Sequence, residues 1–365
     1  MTTHQITFFS VDNGDAVLLE AHGKTVMTDI RYRAGCTDDD DDFNDFAPTI
    51  RDACDNDQLD VFVLTHPDED HLLGFSEVFH LGDPDKRDSD PDEGDVSIVV
   101  DEIWCSPYAA DPNYTTDTSK PVLDEIARRK ALMGTPAGSK AGNRLRILTA
   151  TNGAAESLAP GVEWRLLAPT VEEADIPKAT GDQPKNSSNP SSLVIQWSVK
   201  VGGKVSKIVL GGDSTVDVWE RINHDYNFDQ KNWNVLLAPH HCSRHSMGRA
   251  VKKDGKESFE WSDDAYNGLN NPVGSSPHIV SSSRKFTEKT PPNPLARDRY
   301  HKMLAQGAAV NDAVRSRFRV TAGKKGEKAK DIVFRLTSLG PVLSIAGTGA
   351  AAGATPASAG GGGYG

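Results

Sequence analysis

Val61-Phe62-Val63-Leu64-Thr65-His66-Pro67-Asp68-Glu69-Asp70-His71 is the stretch on which the reading of this chain turns. Four apolar residues run without interruption and stop at Thr65, the pattern of a short strand buried on both faces. Loops beyond the ends of such strands carry chemistry. This loop packs two imidazoles and three carboxylates into six residues. Such a donor set suits a divalent transition metal, and its carboxylate share extends the choice from Zn²⁺ to Mn²⁺ and Mg²⁺. The plain alternative is an exposed acidic turn with two incidental histidines.

Two further segments weigh against that alternative. Ile208-Val209-Leu210-Gly211-Gly212-Asp213 places a carboxylate at the end of another apolar strand. Val235-Leu236-Leu237-Ala238-Pro239-His240-His241-Cys242-Ser243 does the same with paired histidines. Around these, the chain alternates strands and helices. Residues 5–9 and 16–20 flank the turn formers Asp12-Asn13-Gly14-Asp15 as a hairpin, and 25–29 continues it. Helices are expected at about 45–55, 120–133 and 295–306, and strands at 98–104, 162–167, 192–199, 205–210, 234–238, 316–321 and 331–336. This pattern implies a layered α/β body. It spans 1–345 as one domain, with insertions at 37–42, 81–97 and 247–276, the last read as a loop over the site. Residues 346–365, rich in Gly and Ala, read as a flexible tail.

Composition narrows the function classes. Of 365 residues, 37% are hydrophobic and 25% charged, which fits a soluble protein rather than a disordered one. No apolar run reaches the roughly 18–20 residues of a membrane span, and Met1–Thr7 shows no secretory pattern. Four scattered cysteines without CxxC spacing fit a reducing cytoplasm and exclude a zinc ribbon or disulfide framework. The net charge of −12 conceals an asymmetry: residues 1–100 carry −19 and the remainder +7. The basic excess, with lysines at 252, 253, 256, 324, 325, 328 and 330, keeps a phosphate-rich partner open. Trp261, Tyr266 and Tyr300 read as too dispersed for a stacking platform.

These motifs resemble the metallo-β-lactamase fold, and within it the branch similar to the hydrolase domain of the DNA-uptake protein ComEC. That branch has a His-x-Asp-x-Asp-His loop, here His66-Pro67-Asp68-Glu69-Asp70-His71. Val11-Asp12-Asn13-Gly14-Asp15-Ala16 looks like its Val-Gly-Gln-Gly-Asp-Ala turn. Thr28-Asp29, Asn189-Pro190-Ser191-Ser192-Leu193-Val194, Gly212-Asp213 and His240-His241-Cys242-Ser243 follow its remaining motifs in order, from about residue 5 to 337. Two positions depart from it: Cys242 stands where the family has Gly, adding a side chain where backbone would approach substrate. Pro292-Asn293-Pro294 stands where a Gly-His-Pro is expected.

The resemblance implies an α/β fold of αββα four-layer type with two divalent metal ions, zinc or manganese, at one edge of the packed sheets. His66 and Asp68 would serve one ion, Asp70 and His71 the other, and Asp213 would bridge them. His240 would complete a shell, or His241 in its place, since sequence does not orient adjacent side chains. Asp29 would fix a histidine from behind. Asn189 or a water stands where the usual third-strand histidine is missing. The implied activity is that of a metal-dependent hydrolase, foremost a phosphodiesterase or nuclease, in which the ions lower the pKa of a shared water and hydroxide attacks phosphorus. Asp70 would orient that water and His241 donate a proton to the leaving group. Asn189, Ser243, Arg244 and Lys285 are the candidate substrate contacts. The alternatives are a hydrolase of a small substrate (a cyclic nucleotide, lactone or thioester) and a non-catalytic metal-stabilised subunit of a larger, defence-related complex. In that last reading the acidic N-terminal region or the Gly-rich tail would contact a protein partner.

Overall fold

The turn formers at 12–15 fold the N-terminus back on itself, so that β1 (Gln5–Phe8) pairs antiparallel with β2 (Val17–Ala21), Gln5 opposite Glu20 and Phe8 opposite Val17. A two-residue turn at His22-Gly23 leads into β3 (Lys24–Thr28). The computed structural model describes residues 3–33, 45–87, 97–112, 115–151, 153–176, 187–286, 291–322 and 329–344. The expected insertion at 37–42, most of that at 81–97, and the tail at 346–365 lie outside them.

Two large sheets dominate. The first adds β4 (Gln58–Leu64), β5 (Val99–Cys105), β6 (Arg144–Ile147), β16 (Ile332–Thr337) and β17 (Gly340–Ser344), in the order β17-β16-β1-β2-β3-β4-β5-β6. The second holds β7 (Ala155–Ala159), β8 (Val162–Ala168), β9 (Val194–Val201), β10 (Lys204–Leu210), β11 (Val235–Leu237), β14 (His278–Ser281) and β15 (Phe318–Val320), in the order β15-β14-β11-β10-β9-β8-β7. Each sheet has an antiparallel half, built from hairpins and, in the first sheet, the long-range pairing of β1 with β16, and a parallel half built from crossovers. The parallel pairs are β3 with β4, β4 with β5 and β5 with β6 in one sheet. In the other they are β10 with β11, β11 with β14 and β14 with β15. Ligand sites in such sheets lie beyond the carboxyl ends of parallel strands.

Three apolar clusters separate four layers. The central one joins the facing sides of both sheets, with Trp104 stacked on Trp197 and tilted against Trp164 across it. The second seals helices Ala47–Ala53 and Lys120–Leu132 onto the outer face of the first sheet, and the third seals Val216–Asp225, Asp263–Leu269 and Pro294–Ala305 onto the second. Lys120–Leu132 begins with Pro121, tolerated in a first turn whose N–H groups lack intrahelical partners. This is the αββα sandwich that the resemblance implies. Among the described residues, no helix is long and apolar enough to cross a membrane.

Residues 247–276, expected as a loop, carry a separate antiparallel ribbon, β12 (Gly248–Lys253) with β13 (Lys256–Trp261), followed by the helix Asp263–Leu269. The turn Asp254-Gly255 closes the ribbon with both residues at positive φ, as a tight hairpin requires.

His278, only 8% exposed at the start of β14, lies against the Phe334 ring with centroids 5.0 Å apart. Burial, reinforced by the charges of Arg319 and Arg317, pushes its imidazole down to about 4 from the ordinary 6.5. Between those values the unfolded chain holds a proton that the folded one lacks. Stability therefore falls as pH drops through that window, by up to about 1.4 kcal/mol per pH unit. On going from about pH 7 to about pH 5, the urea midpoint of His278→Gln is expected to fall less than that of the wild type; an equal fall in both would show that His278 contributes nothing to acid sensitivity.

Candidate metal centre

The candidate ligands and Asp29 all leave the carboxyl ends of parallel strands. Asp29 follows β3, Thr65 to His71 follow β4, Asp213 follows β10, and His240 and His241 follow β11. The two sheets are stitched together here by a backbone hydrogen bond from Leu193 N to Thr65 O (3.0 Å), and within the second sheet His240 N donates to Gly212 O (2.9 Å). Gly212 has φ +47°, and a Cβ on it would lie 2.7 Å from Thr65 Oγ1, so only glycine lets the two strand ends come this close.

Asp29 organises the first side. Its carboxylate, fully buried, accepts hydrogen bonds from Thr65 N (2.7 Å), Thr65 Oγ1 (2.6 Å) and His71 Nδ1 (2.7 Å). Thr65 Oγ1 spends its proton on Asp29 and therefore accepts from His66 Nδ1 at 3.1 Å. On the other side, His241 Nδ1 donates to Ser282 O at 3.0 Å. Three histidines thus have their Nδ1–H groups engaged behind them and their Nε2 atoms turned forward, the arrangement that prepares imidazole for a metal.

Those Nε2 atoms converge on Asp213. Asp213 Oδ1 is 3.2 Å from His71 Nε2 and 3.5 Å from His241 Nε2, while its Oδ2 is 3.5 Å from His240 Nε2 and 4.0 Å from His66 Nε2. Asp70 Oδ2 adds a contact of 3.2 Å to His241 Nε2, and Asp68 Oδ2 lies 3.6 Å from His66 Nε2. Asp213 therefore divides the donors into two sets, one per carboxylate oxygen. Donor atoms of Asp70, His71, Asp213 and His241 all lie within 4.8 Å of one another. The set of His66, Asp68, His240 and the second Asp213 oxygen is looser.

Charge and satisfaction both fit a cation. His66 Nε2, His71 Nε2 and Asp213 Oδ1 are buried without hydrogen-bond partners, a costly state for polar atoms unless something else binds them. Burial alone would raise Asp213, but His241, His71 and His240 hold its carboxyl well below the usual range. Asp70 is likewise held low against burial, by the charge of His71 and the hydrogen bond to His241. Burial would lower the histidines, yet Asp213 outweighs it: His71 stands well above its ordinary value, helped by Asp29, and His241 is pushed up to about 10, helped by Asp15 and Asp70. His240, with fewer carboxylates around it, is lowered by burial. The residues present fit divalent metal.

The paired histidines sit on strained backbone. His240, His241 and Cys242 all have positive φ (50°, 51° and 64°), a conformation rare for non-glycine residues. This left-handed turn sends the two adjacent imidazoles to different oxygens of Asp213, so both belong to the cluster. Cys242 does not project where substrate would approach. Its side chain is fully buried, with Sγ 4.0 Å from Asn293 O. Asn293, where a histidine was expected, caps the helix Pro294–Ala305 by accepting from Leu295 N and Ala296 N.

The remaining expected contacts scatter. Asn189 reaches His240, Nδ2 to Nδ1 at 3.5 Å. Ser243 is buried and its Oγ accepts from His245 N, capping the next turn. Arg244 stacks its guanidinium 4.3 Å from the Phe259 ring centroid, and Lys285 is exposed beyond the end of β14. Sequence reasoning missed Asp15, buried with its carboxylate 3.6 Å from His241 Nδ1 and 4.0 Å from His71 Nδ1. It lies inside the N-terminal turn motif, which was the available signal. It also missed Ser188, whose hydroxyl donates to Asp68, and Ser282.

No family model matches the chain, and no curated protein matches its sequence. Solved structures do, metallo-β-lactamase-fold proteins among them. The chain is similar to a mutant of the CmlA beta-hydroxylase at 11% identity and a TM-score of 0.43, over 92% of this chain and 55% of that one, so it spans little more than half of that protein. It is similar to the metallo-beta-lactamase fold protein YhfI from Bacillus subtilis at 8% identity and a TM-score of 0.37, over 90% of this chain and 98% of that one. It is similar to a diphosphatase of the PhnP family at 12% identity and a TM-score of 0.35, over 91% and 98%. The four-layer architecture rests on the sheets and cores described above.

Asp29→Asn keeps the shape and tolerates the left-handed φ of 55° at this position, but leaves His71 Nδ1 facing an amide. Its affinity for Mn²⁺ or Zn²⁺, measured by chelator competition, is expected to drop about 10–100-fold with an unchanged circular dichroism spectrum; wild-type affinity would remove Asp29 from the site.

Proposed function

We propose that this protein is a metal-dependent phosphodiesterase, acting as a nuclease, that works with two divalent ions. The observation that carries this reading is the division of Asp213, one oxygen facing His71 and His241 and the other facing His66 and His240. In it, Asp70, His71, His241 and Asp213 would hold one ion, and His66, Asp68, His240 and Asp213 the other. A bound pair supplies Lewis acidity and a lowered water pKa for in-line displacement at phosphorus. Four imidazoles and three aspartates among the donors suit Zn²⁺ or Mn²⁺.

The chain's own groups do the rest. Asp29, Thr65 and Ser282 lock the ring orientations of His66, His71 and His241, so no reorganisation is needed when substrate arrives. Asp70, half-buried and ionised, is the carboxylate that orients the attacking water. Buried between Asp15, Asp70 and Asp213, His241 serves as a donor in this arrangement rather than as a free general acid. Proton delivery to the leaving group then falls to solvent or to a group at the rim. Arg244 follows the paired histidines closely enough to engage a phosphate oxygen, and the resemblance to the hydrolase domain of ComEC points to the same substrate chemistry.

Purified protein is expected to bind two metal ions by elemental analysis and to cleave bis(p-nitrophenyl) phosphate and DNA in Mn²⁺. Asp213→Asn removes the shared carboxylate and should lose both ions and at least about 100-fold in kcat/KM. Stoichiometric metal with hydrolysis of a thioester or lactone and no phosphodiester would replace this reading with a small-substrate hydrolase, and metal without any hydrolysis would leave a structural subunit.

A further inference from the structure

The hairpin of β12 and β13 is a ribbon outside both large sheets, and one of its faces is lined with rings and guanidinium groups. Directly opposed residues share a face, so the register puts Phe259 and Trp261 beside Ala250 and Gly248. Gly248 is needed there: a Cβ on it would meet the Phe259 ring at 2.6 Å. The two rings meet edge to face with centroids 5.1 Å apart. Arg244 stacks on Phe259 at 4.3 Å, and Arg299, from the helix Pro294–Ala305, stacks on Trp261 at 4.2 Å, with the Tyr266 ring 5.6 Å away. Trp261 and Tyr266, dispersed in sequence, are therefore gathered by Arg299. Tyr300 is not part of this group and is fully buried.

Two features set these arginines apart. Among the described residues, neither makes an ion pair or a side-chain hydrogen bond, whereas Arg249 on the opposite face is paired with Asp217 (2.8 Å) and Glu220 (2.6 Å). Each is held flat by a ring, with its planar fork of N–H donors unspent, the state in which guanidinium recognises phosphate bidentately. Both are also tied to the metal centre through the backbone. Arg244 lies three residues after His241, and the helix bearing Arg299 is fastened to the histidine turn by Asn293 N donating to Cys242 O at 2.9 Å. Lys252, exposed on the same face near the hairpin tip, adds a cation that makes no ion pair among the described residues.

We propose that the hairpin face is a binding site for single-stranded nucleic acid, in which Arg244 and Arg299 each grip a backbone phosphate and Phe259 and Trp261 offer sequence-tolerant stacking to the bases between them. It rests on the phosphodiesterase reading for the role of the neighbouring metal centre and names the substrate class of that centre: a chain several nucleotides long, laid across the ribbon before it enters the site. Ring stacking of this kind is sequence-tolerant and adds to electrostatics.

The test is fluorescence-anisotropy binding of a labelled phosphorothioate oligonucleotide of about 12 nucleotides to the full-length protein as purified, with a matched duplex and an inorganic polyphosphate of equal charge as competitors. Arg299→Ala and Trp261→Ala are each expected to weaken binding about ten-fold or more while keeping wild-type metal content; the melting temperature stays at the wild-type value in Arg299→Ala and falls in Trp261→Ala, whose ring is partly packed on the third apolar cluster. Arg299→Lys should stay weakened because an ammonium lacks the fork. The salt slope should shrink by about one for each arginine removed. Wild-type affinity in Arg299→Ala and Trp261→Ala, or equal competition per charge by polyphosphate, would overturn the site. Loss that Arg299→Lys fully restores would reduce it to a charge effect and overturn the stacking role. Tight oligonucleotide binding by a protein that cleaves no phosphodiester would support the site and overturn the phosphodiesterase reading instead.

Discussion

The carboxylate of Asp29 is the constraint on which the rest of this architecture depends. It is fully buried, and burial pushes its carboxyl up even against the pull of His71. A buried carboxylate is tolerated only where hydrogen bonds replace water, and three donors do so, all from the segment that follows β4. Asp29 thereby sets the end of β3 against the end of β4, fixes the His66 and His71 tautomers at once, and closes the polar interior of an otherwise apolar sheet edge. The backbone repeats the tie: Asp29 N donates to Val63 O at 2.9 Å and Ile30 N to His71 O at 3.0 Å.

The second sheet answers with strain rather than with a buried anchor. Three successive left-handed residues at 240–242 cost on the order of 1 kcal/mol or more each, and the surrounding structure must over-determine them. It does so through Cys242, whose buried side chain stands where glycine would relax the backbone. It does so again through Ser243 N donating to His240 O at 2.8 Å and Asn293 N donating to Cys242 O. The gain is geometric. In a helix or strand, adjacent histidines diverge; in this turn both reach one carboxylate from its two sides.

Much of this was legible in the sequence because strand ends and metal-ligand spacing are local properties. The apolar run at 61–64, the His/Asp loop, Asp29, Asp213 and the paired histidines are each encoded within a few residues, and the structure brings them together. What the sequence hid depends on contacts far apart in the chain or on backbone sign. Adjacent His240 and His241 could not be told apart without the positive φ values. Asp15 looked like one more turn residue until the N-terminal turn was seen to lie beneath His71 and His241. The ribbon at 248–261 carries alternating charge and only scattered rings, so it read as a loop. Its partners Arg244 and Arg299 lie outside it, and Trp261 meets its cation from 38 positions away. The edge strands β6, β7 and β17, short and half-exposed, lack the near-continuous burial that marks β1 to β4.

The charge asymmetry of the chain acquires a spatial meaning on the proposed reading. The first hundred residues, net −19, supply Asp15, Asp29, Asp68 and Asp70, which would repel a polyanion if nothing neutralised them. The more basic remainder supplies Arg244, Arg299 and Lys252 on a face that holds no metal ligand. Cations and phosphates are therefore drawn to different walls of one region: divalent ions to the carboxylates of the first sheet's loops, the nucleic-acid backbone to guanidinium groups carried by the second sheet's appendages. Such a division lets the field that concentrates metal coexist with a surface that concentrates substrate, since at physiological salt the screening length is about 8 Å. Without that screening, the same net charge would oppose the association that the arginines promote.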